Sequence, residues 1–160
     1  MKLNKFLLLW VSLVFIGCSV SNTTEKVQNF AKCYIHKLPA PFWVCYQSSF
    51  LSIGKTHSDK LSRLKQEEAY SLGVTDLISK LQSKTKLFLR KLNVKNDKLI
   101  TKVKDFVVLN AIQGDSWYDK KDKMIYVQVK LNKDEFKKFL FDDLKNKDKK
   151  VLENTFYETF

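Results

Sequence analysis

Three cysteines and two histidines are the residues of this chain best suited to chemistry. Cys18 closes an apolar run, while Cys33 and Cys45 flank the segment Leu38-Pro39-Ala40-Pro41. Two outcomes are open for that pair. In an oxidising compartment a disulfide would close a loop of about a dozen residues and contribute on the order of 3 kcal/mol. Otherwise two half-buried thiols stand on either side of the turn. Metal binding would need more, because Cys33, His36 and Cys45 supply three soft ligands and no fourth follows at zinc-site spacing. No metal is expected. His57, in the polar stretch Gly54-Lys55-Thr56-His57-Ser58, reads as the solvated start of a helix.

Catalytic patterns are missing: the chain has no Gly-rich phosphate loop, no His-Glu-x-x-His and no Gly-x-Ser-x-Gly elbow. Its carboxylates are scattered among lysines, which hold them ionised. Glu67 with Glu68 and Asp142 with Asp143 are adjacent pairs, and neighbours on a helix point about 100° apart, so neither pair shares a site. Neither enzymatic activity nor a cofactor is expected.

Lys2 and Lys5 precede an apolar run from Phe6 to Gly17. At about 12 residues it falls short of the ~20 that a membrane-spanning helix needs, and it reads as a signal-peptide core. Val14-Phe15-Ile16-Gly17-Cys18-Ser19 resembles the lipobox of bacterial lipoproteins, with the small residue required before the cysteine supplied by Gly17. The resemblance implies a diacylglyceryl thioether on Cys18, cleavage before it, and acylation of the new amine with palmitate-like chains. Each buried methylene contributes about 0.8 kcal/mol, so two or three chains hold a protein to the bilayer without spanning it. Ser19 stands where an inner-membrane retention signal would place Asp, which favours the outer membrane.

Twenty-nine Lys+Arg against 17 Asp+Glu give a net charge of +12, which favours anionic partners. Only Arg63 and Arg90 are arginines. Nucleic-acid readers favour the planar guanidinium fork, so a lysine-dominated balance carries less of that message, and no specific nucleic-acid partner is expected. With 160 residues, 44% hydrophobic, the chain can bury one core. It divides into a signal segment (1–17), a lipidated N-terminus and tether (18–37) and one α+β domain (38–160).

Phe42-Trp43-Val44-Cys45-Tyr46 is β-rich and reads as the first strand, leading to Gly54. Ser58 and Asp59 suit N-caps for a long helix in which Ala69, Gly73, Leu77, Leu81 and Phe88 recur at helical spacing. The small residues Ala69 and Gly73 would let that helix lie close to a sheet. Phe106 to Tyr118 turns β-branched and aromatic. Met124 to Leu131 alternates, with Ile125, Val127, Val129 and Leu131 on one face, and predicts the second strand of a half-buried antiparallel hairpin. Asn132 and Glu135 form a capping-box-like start ahead of Phe136, Phe139, Leu140 and Leu144. Lys145 to Lys150 reads as a solvated exit. The expected architecture is a small antiparallel sheet in the order strand, long helix, hairpin, helix, with the long helix covering it. Trp43 and Trp117 join apolar area to a donor and are binding candidates, though strand positions favour core packing. Lys84 and Arg90 are candidate cations on the solvated face of the long helix.

Together these features resemble the lipoprotein-20-type family, small envelope lipoproteins of Campylobacter- and Helicobacter-like bacteria with relatives in flagellar accessory structures. The residues that carry the resemblance are Cys18, Ala40-Pro41-Phe42-Trp43-Val44, the helix containing Lys65 to Leu81, and Ser116-Trp117-Tyr118 paired with Ile125-Tyr126-Val127-Gln128-Val129. It implies a non-enzymatic protein anchored in the outer membrane through acylated Cys18, acting through envelope protein partners or self-association in an envelope or flagella-associated assembly. The alternative is a basic module for anionic envelope polymers such as lipopolysaccharide, using the Lys-rich faces.

Overall fold

The computed structural model describes residues 32–160. Cys18 and the lipobox-like run Val14 to Ser19, on which the signal-peptide and lipidation expectations rest, lie outside them. The chain opens with a β-hairpin, β1 (Cys33–Ile35) and β2 (Leu38–Ala40), whose two-residue turn places His36 and Lys37 at positive φ. That is the backbone twist a tight hairpin requires. Residues 33–37, expected in the tether, therefore belong to the folded part. One helical turn follows, α1 (Phe42–Cys45), in place of the expected first strand. Its aromatic and β-branched composition favours a strand, but the Val44 amide donates to the Pro41 carbonyl and the Tyr46 amide to that of Phe42, closing a helical turn that buries Trp43 and Val44.

The main sheet holds three antiparallel strands in the order β3 (Leu51–His57), β5 (Met124–Lys130), β4 (Ile112–Asp119). Between β3 and β4 run α2 (Arg63–Lys91) and α3 (Asp97–Asn110); α4 (Lys133–Asp143) and α5 (Lys149–Thr159) close the chain. The α+β architecture, with a long helix over a small antiparallel sheet, is as the periodicity predicts. Ala69, Gly73, Leu77, Leu81 and Phe88 form the buried stripe of α2.

Several details differ. The cap of α2 is Ser62, whose Oγ accepts from the Lys65 amide, not Ser58 or Asp59. Ser58 instead continues the strand pairing through its amide to the Lys123 carbonyl, and Asp59 accepts from Lys123. His57 ends β3, exposed, rather than starting a helix. Phe106 to Asn110 is helical: Leu99, Val103 and Val107 repeat every fourth residue and are buried, which overrides the β-branched composition. Strand β5 is central and covered on both faces, so Tyr126 and Gln128 are buried where the alternation predicted solvent. The run Lys145 to Lys150 leads into a fifth helix, capped by Asp148 and burying Leu152, Phe156 and Thr159.

One face of the sheet, with Val129 and Leu131, shares a core with all four longer helices. Phe88, Leu99, Phe136 and Phe156 are fully buried there. Against the other face lies a smaller cluster of Cys33, Trp43, Val44 and Tyr126, joined by Ile53, Trp117 and Met124. The β1–β2 hairpin and α1 thus form a cap over the second face.

Candidate functional site

Two regions hold the side chains singled out by the sequence, and a third emerges only from the fold. The first is the cap. Cys33 Sγ and Cys45 Sγ are bonded, with Cα atoms 5.7 Å apart, tying β1 to the end of α1. Both thiols are consumed, which leaves Cys33, His36 and Cys45 without the free thiolates a metal would need. Among the described residues no group of three His, Cys, Asp or Glu is placed to hold a metal ion. His36 Nε2 instead lies 2.8 Å from Asp122 Oδ2 in the β4–β5 turn, a contact that pins the hairpin tip to the sheet. Trp43 is buried in the cap core, and Trp117 is half-buried with its ring 5.2 Å from Tyr126. Both tryptophans pack between cap and sheet.

Burial raises the Tyr126 phenol above its ordinary range, and the charges of Asp119 and Asp122 push in the same direction. Lys55 Nζ lies 5.5 Å from the ring centroid of Tyr126. The phenol stays neutral and serves packing.

The second region is a groove of about 680 Å³ at the junction of α2 and α3. Helix α2 ends because Asn93 adopts φ +52°, with its amide donating to the Arg90 carbonyl and the Val94 amide reaching back to that of Leu89. This is a Schellman ending with Asn in the left-handed position. Asn96 then caps α3 by accepting from the Leu99 amide at 3.0 Å. Apolar Leu87, Leu89, Val94 and Ile100 line the groove with the cations Lys86, Arg90 and Lys95 and a single carboxylate, Asp97. None of these three cations belongs to an ion pair among the described residues. Arg90 is where the helical pattern placed it, on solvent. Lys84 is not: its Nζ donates to the Thr159 carbonyl and lies 5.9 Å from the Phe160 ring centroid, so it joins α2 to the end of α5. The missed partners of Arg90 had a signal, since Asn93 and Asn96 are the two residue types that end and start helices without Gly or Pro.

The third region is aliphatic. Leu109 is 81% exposed and Ile112 61% exposed, with exposed Val108 beside them, where α3 hands over to the edge strand β4. The Tyr70 hydroxyl donates to the Ala111 carbonyl at 2.8 Å and fixes this junction to α2.

No family model matches this chain, and no curated protein matches it. The segments that carry the resemblance lie at the end of β2 with α1 (Ala40 to Val44), within α2 (Lys65 to Leu81), and across the β4–β5 pair. No helix among the described residues is long and apolar enough to cross a membrane.

Proposed function

We propose that this chain is an outer-membrane lipoprotein of the lipoprotein-20 type, held by acylated Cys18. Its domain has a non-catalytic role in protein association within the envelope, as a subunit of an envelope or flagella-associated assembly. The observation that carries the reading is the Cys33–Cys45 disulfide. Such bonds persist in exported proteins and are rare where glutathione keeps thiols reduced, which agrees with a signal-like N-terminus ending in a lipobox. The aliphatic junction supports the interaction role: Val108, Leu109 and Ile112 offer apolar area to a partner, and the neighbouring β4 edge offers unpaired backbone groups.

Replacing Cys18 with Ala tests the anchor. The expected result is loss of metabolic palmitate label and release of the protein from the membrane fraction; unchanged label and fractionation would overturn the reading. A photo-crosslinking residue at Leu109 tests the association, with a discrete crosslinked protein expected in intact cells.

The α2–α3 groove favours a second reading, a basic module for anionic envelope polymers, because Lys86, Arg90 and Lys95 are exposed and in no ion pair among the described residues. Its mark would be lipopolysaccharide binding that weakens steeply with salt and is lost on replacing the three cations.

A further inference from the structure

We infer that the disulfide-tied cap is a membrane-docking surface, whose outer side rests on the head groups of an anionic bilayer. The inference rests on the lipid-anchor reading above. Tyr34 is 52% exposed, Phe42 46% and Tyr46 51%, although all three belong to a unit whose inner side is packed on the sheet. Phe42 and Tyr46 stand one helical turn apart with ring centroids 6.1 Å from each other, on the side of α1 away from buried Trp43 and Val44. Tyr34 lies on the outer face of the hairpin, since its neighbours Cys33 and Ile35 point into the cap core. Aromatic rings of this kind favour the interface, where one end is apolar and the other wet.

Charge points to the same occupant. No Asp or Glu occurs between Glu25 and Asp59, a stretch that holds Lys26, Lys32, Lys37 and Lys55. In a chain with 17 acids, this acid-free stretch contains the whole cap, and the carboxylate that reaches it from the β4–β5 turn, Asp122, lies against His36 at the hairpin tip. Basic residues near an anionic surface each contribute about 1 kcal/mol, falling off within a Debye length. Distance along the chain completes the case. Residues 19–31 separate Cys18 from the first described residue, and thirteen residues span at most about 45 Å in any conformation. A tether that short makes docking intramolecular, at an effective concentration in the millimolar range, so a weak interfacial affinity suffices. The Val108, Leu109 and Ile112 junction lacks both the aromatic rings and this position along the chain, and it is left for a protein partner.

The test uses the full acylated chain in phosphatidylethanolamine–phosphatidylglycerol vesicles, compared with the soluble chain started at Ser19, which has neither the acyl group nor the apolar run Phe6 to Gly17. Hydroxyl-radical labelling of Tyr34, Phe42 and Tyr46, and amine acetylation of Lys32 and Lys37, should be several-fold slower in the vesicle-bound form. Labelling of Tyr157, exposed on α5, should be unchanged. In the acylated triple variant Tyr34→Ser, Phe42→Ser, Tyr46→Ser, the Lys32 and Lys37 rates should return to those of the soluble chain. Cap labelling equal in the two forms, with palmitate present, overturns the inference alone. Protection that vanishes on diluting the protein in lipid overturns it in favour of self-association. Absence of palmitate on the full chain overturns the anchor reading and this inference with it.

Discussion

Gly54 of β3 and Gly73 of α2 meet backbone against backbone. A Cβ on Gly73 would stand 2.8 Å from the Gly54 nitrogen, and one on Gly54 would stand 1.6 Å from the Ala69 carbonyl oxygen. This contact sets the height of the long helix above the sheet, and with it the fit of Val127 and Val129 beneath.

Gly54→Ala therefore forces α2 away from β3, because the obstructing atoms are main chain. The expected loss is at least about 3 kcal/mol of stability. Gly73→Ala meets the Val129 methyl at 2.6 Å as well as the Gly54 backbone, but gains up to about 1 kcal/mol of helix propensity. Urea denaturation of both variants should rank Gly54→Ala as the more damaging; the reverse order would contradict the contact.

Replacing Cys33 and Cys45 with Ser should cost about 3 kcal/mol, the value for opening a loop of this length. The loss should be local, since the helical core on the opposite face of the sheet does not depend on the cap. Tryptophan emission should shift to the red as Trp43 and Trp117 meet water, while far-UV helix signal persists.

Lys102 donates to Asp143, and desolvation only partly opposes the effect, so the carboxyl titrates below its ordinary 3.8, with Asn96 adding a bond at 2.9 Å. A depressed folded-state value means the contribution is complete above the unfolded value and is lost as the pH falls through the folded one. Acid titration of unfolding should therefore show a loss below about pH 4 that Asp143→Asn removes. At neutral pH the change should cost no more than about 1 kcal/mol, since Lys102 is substantially exposed and solvent screens the pair.

Phe156→Ala should destabilise the protein by about 3–5 kcal/mol, because its ring is fully buried. Phe160 lies 4.8 Å from it, Phe141 6.0 Å and Phe88 6.4 Å. Tyr157→Ala, one residue on, should stay within about 1 kcal/mol, since the ring faces solvent under Lys133. Thermal unfolding of the two variants separates a structural α5 from a solvated tail.

The sequence by itself determined the α2 stripe, the alternation of β5 and the Asn132 cap of α4, because each is a local periodicity or a local hydrogen bond. The small residues Ala69 and Gly73 at helical spacing imply the close helix–sheet packing that the Gly54 contact shows. Tertiary structure alone decided that Phe42 to Cys45 is a helical turn, that Cys33 pairs with Cys45, and that Tyr126 and Gln128 are buried. Each of these depends on a second layer, the cap, covering a sheet face that local pattern reads as solvent. The groove at Arg90 likewise exists only because Asn93 turns the chain there, and α5 because Phe156 finds Phe88 and Phe160 across the core. The lipoprotein reading of residues 1–17 and Cys18 rests on residue types and spacing alone, since they lie outside the described residues.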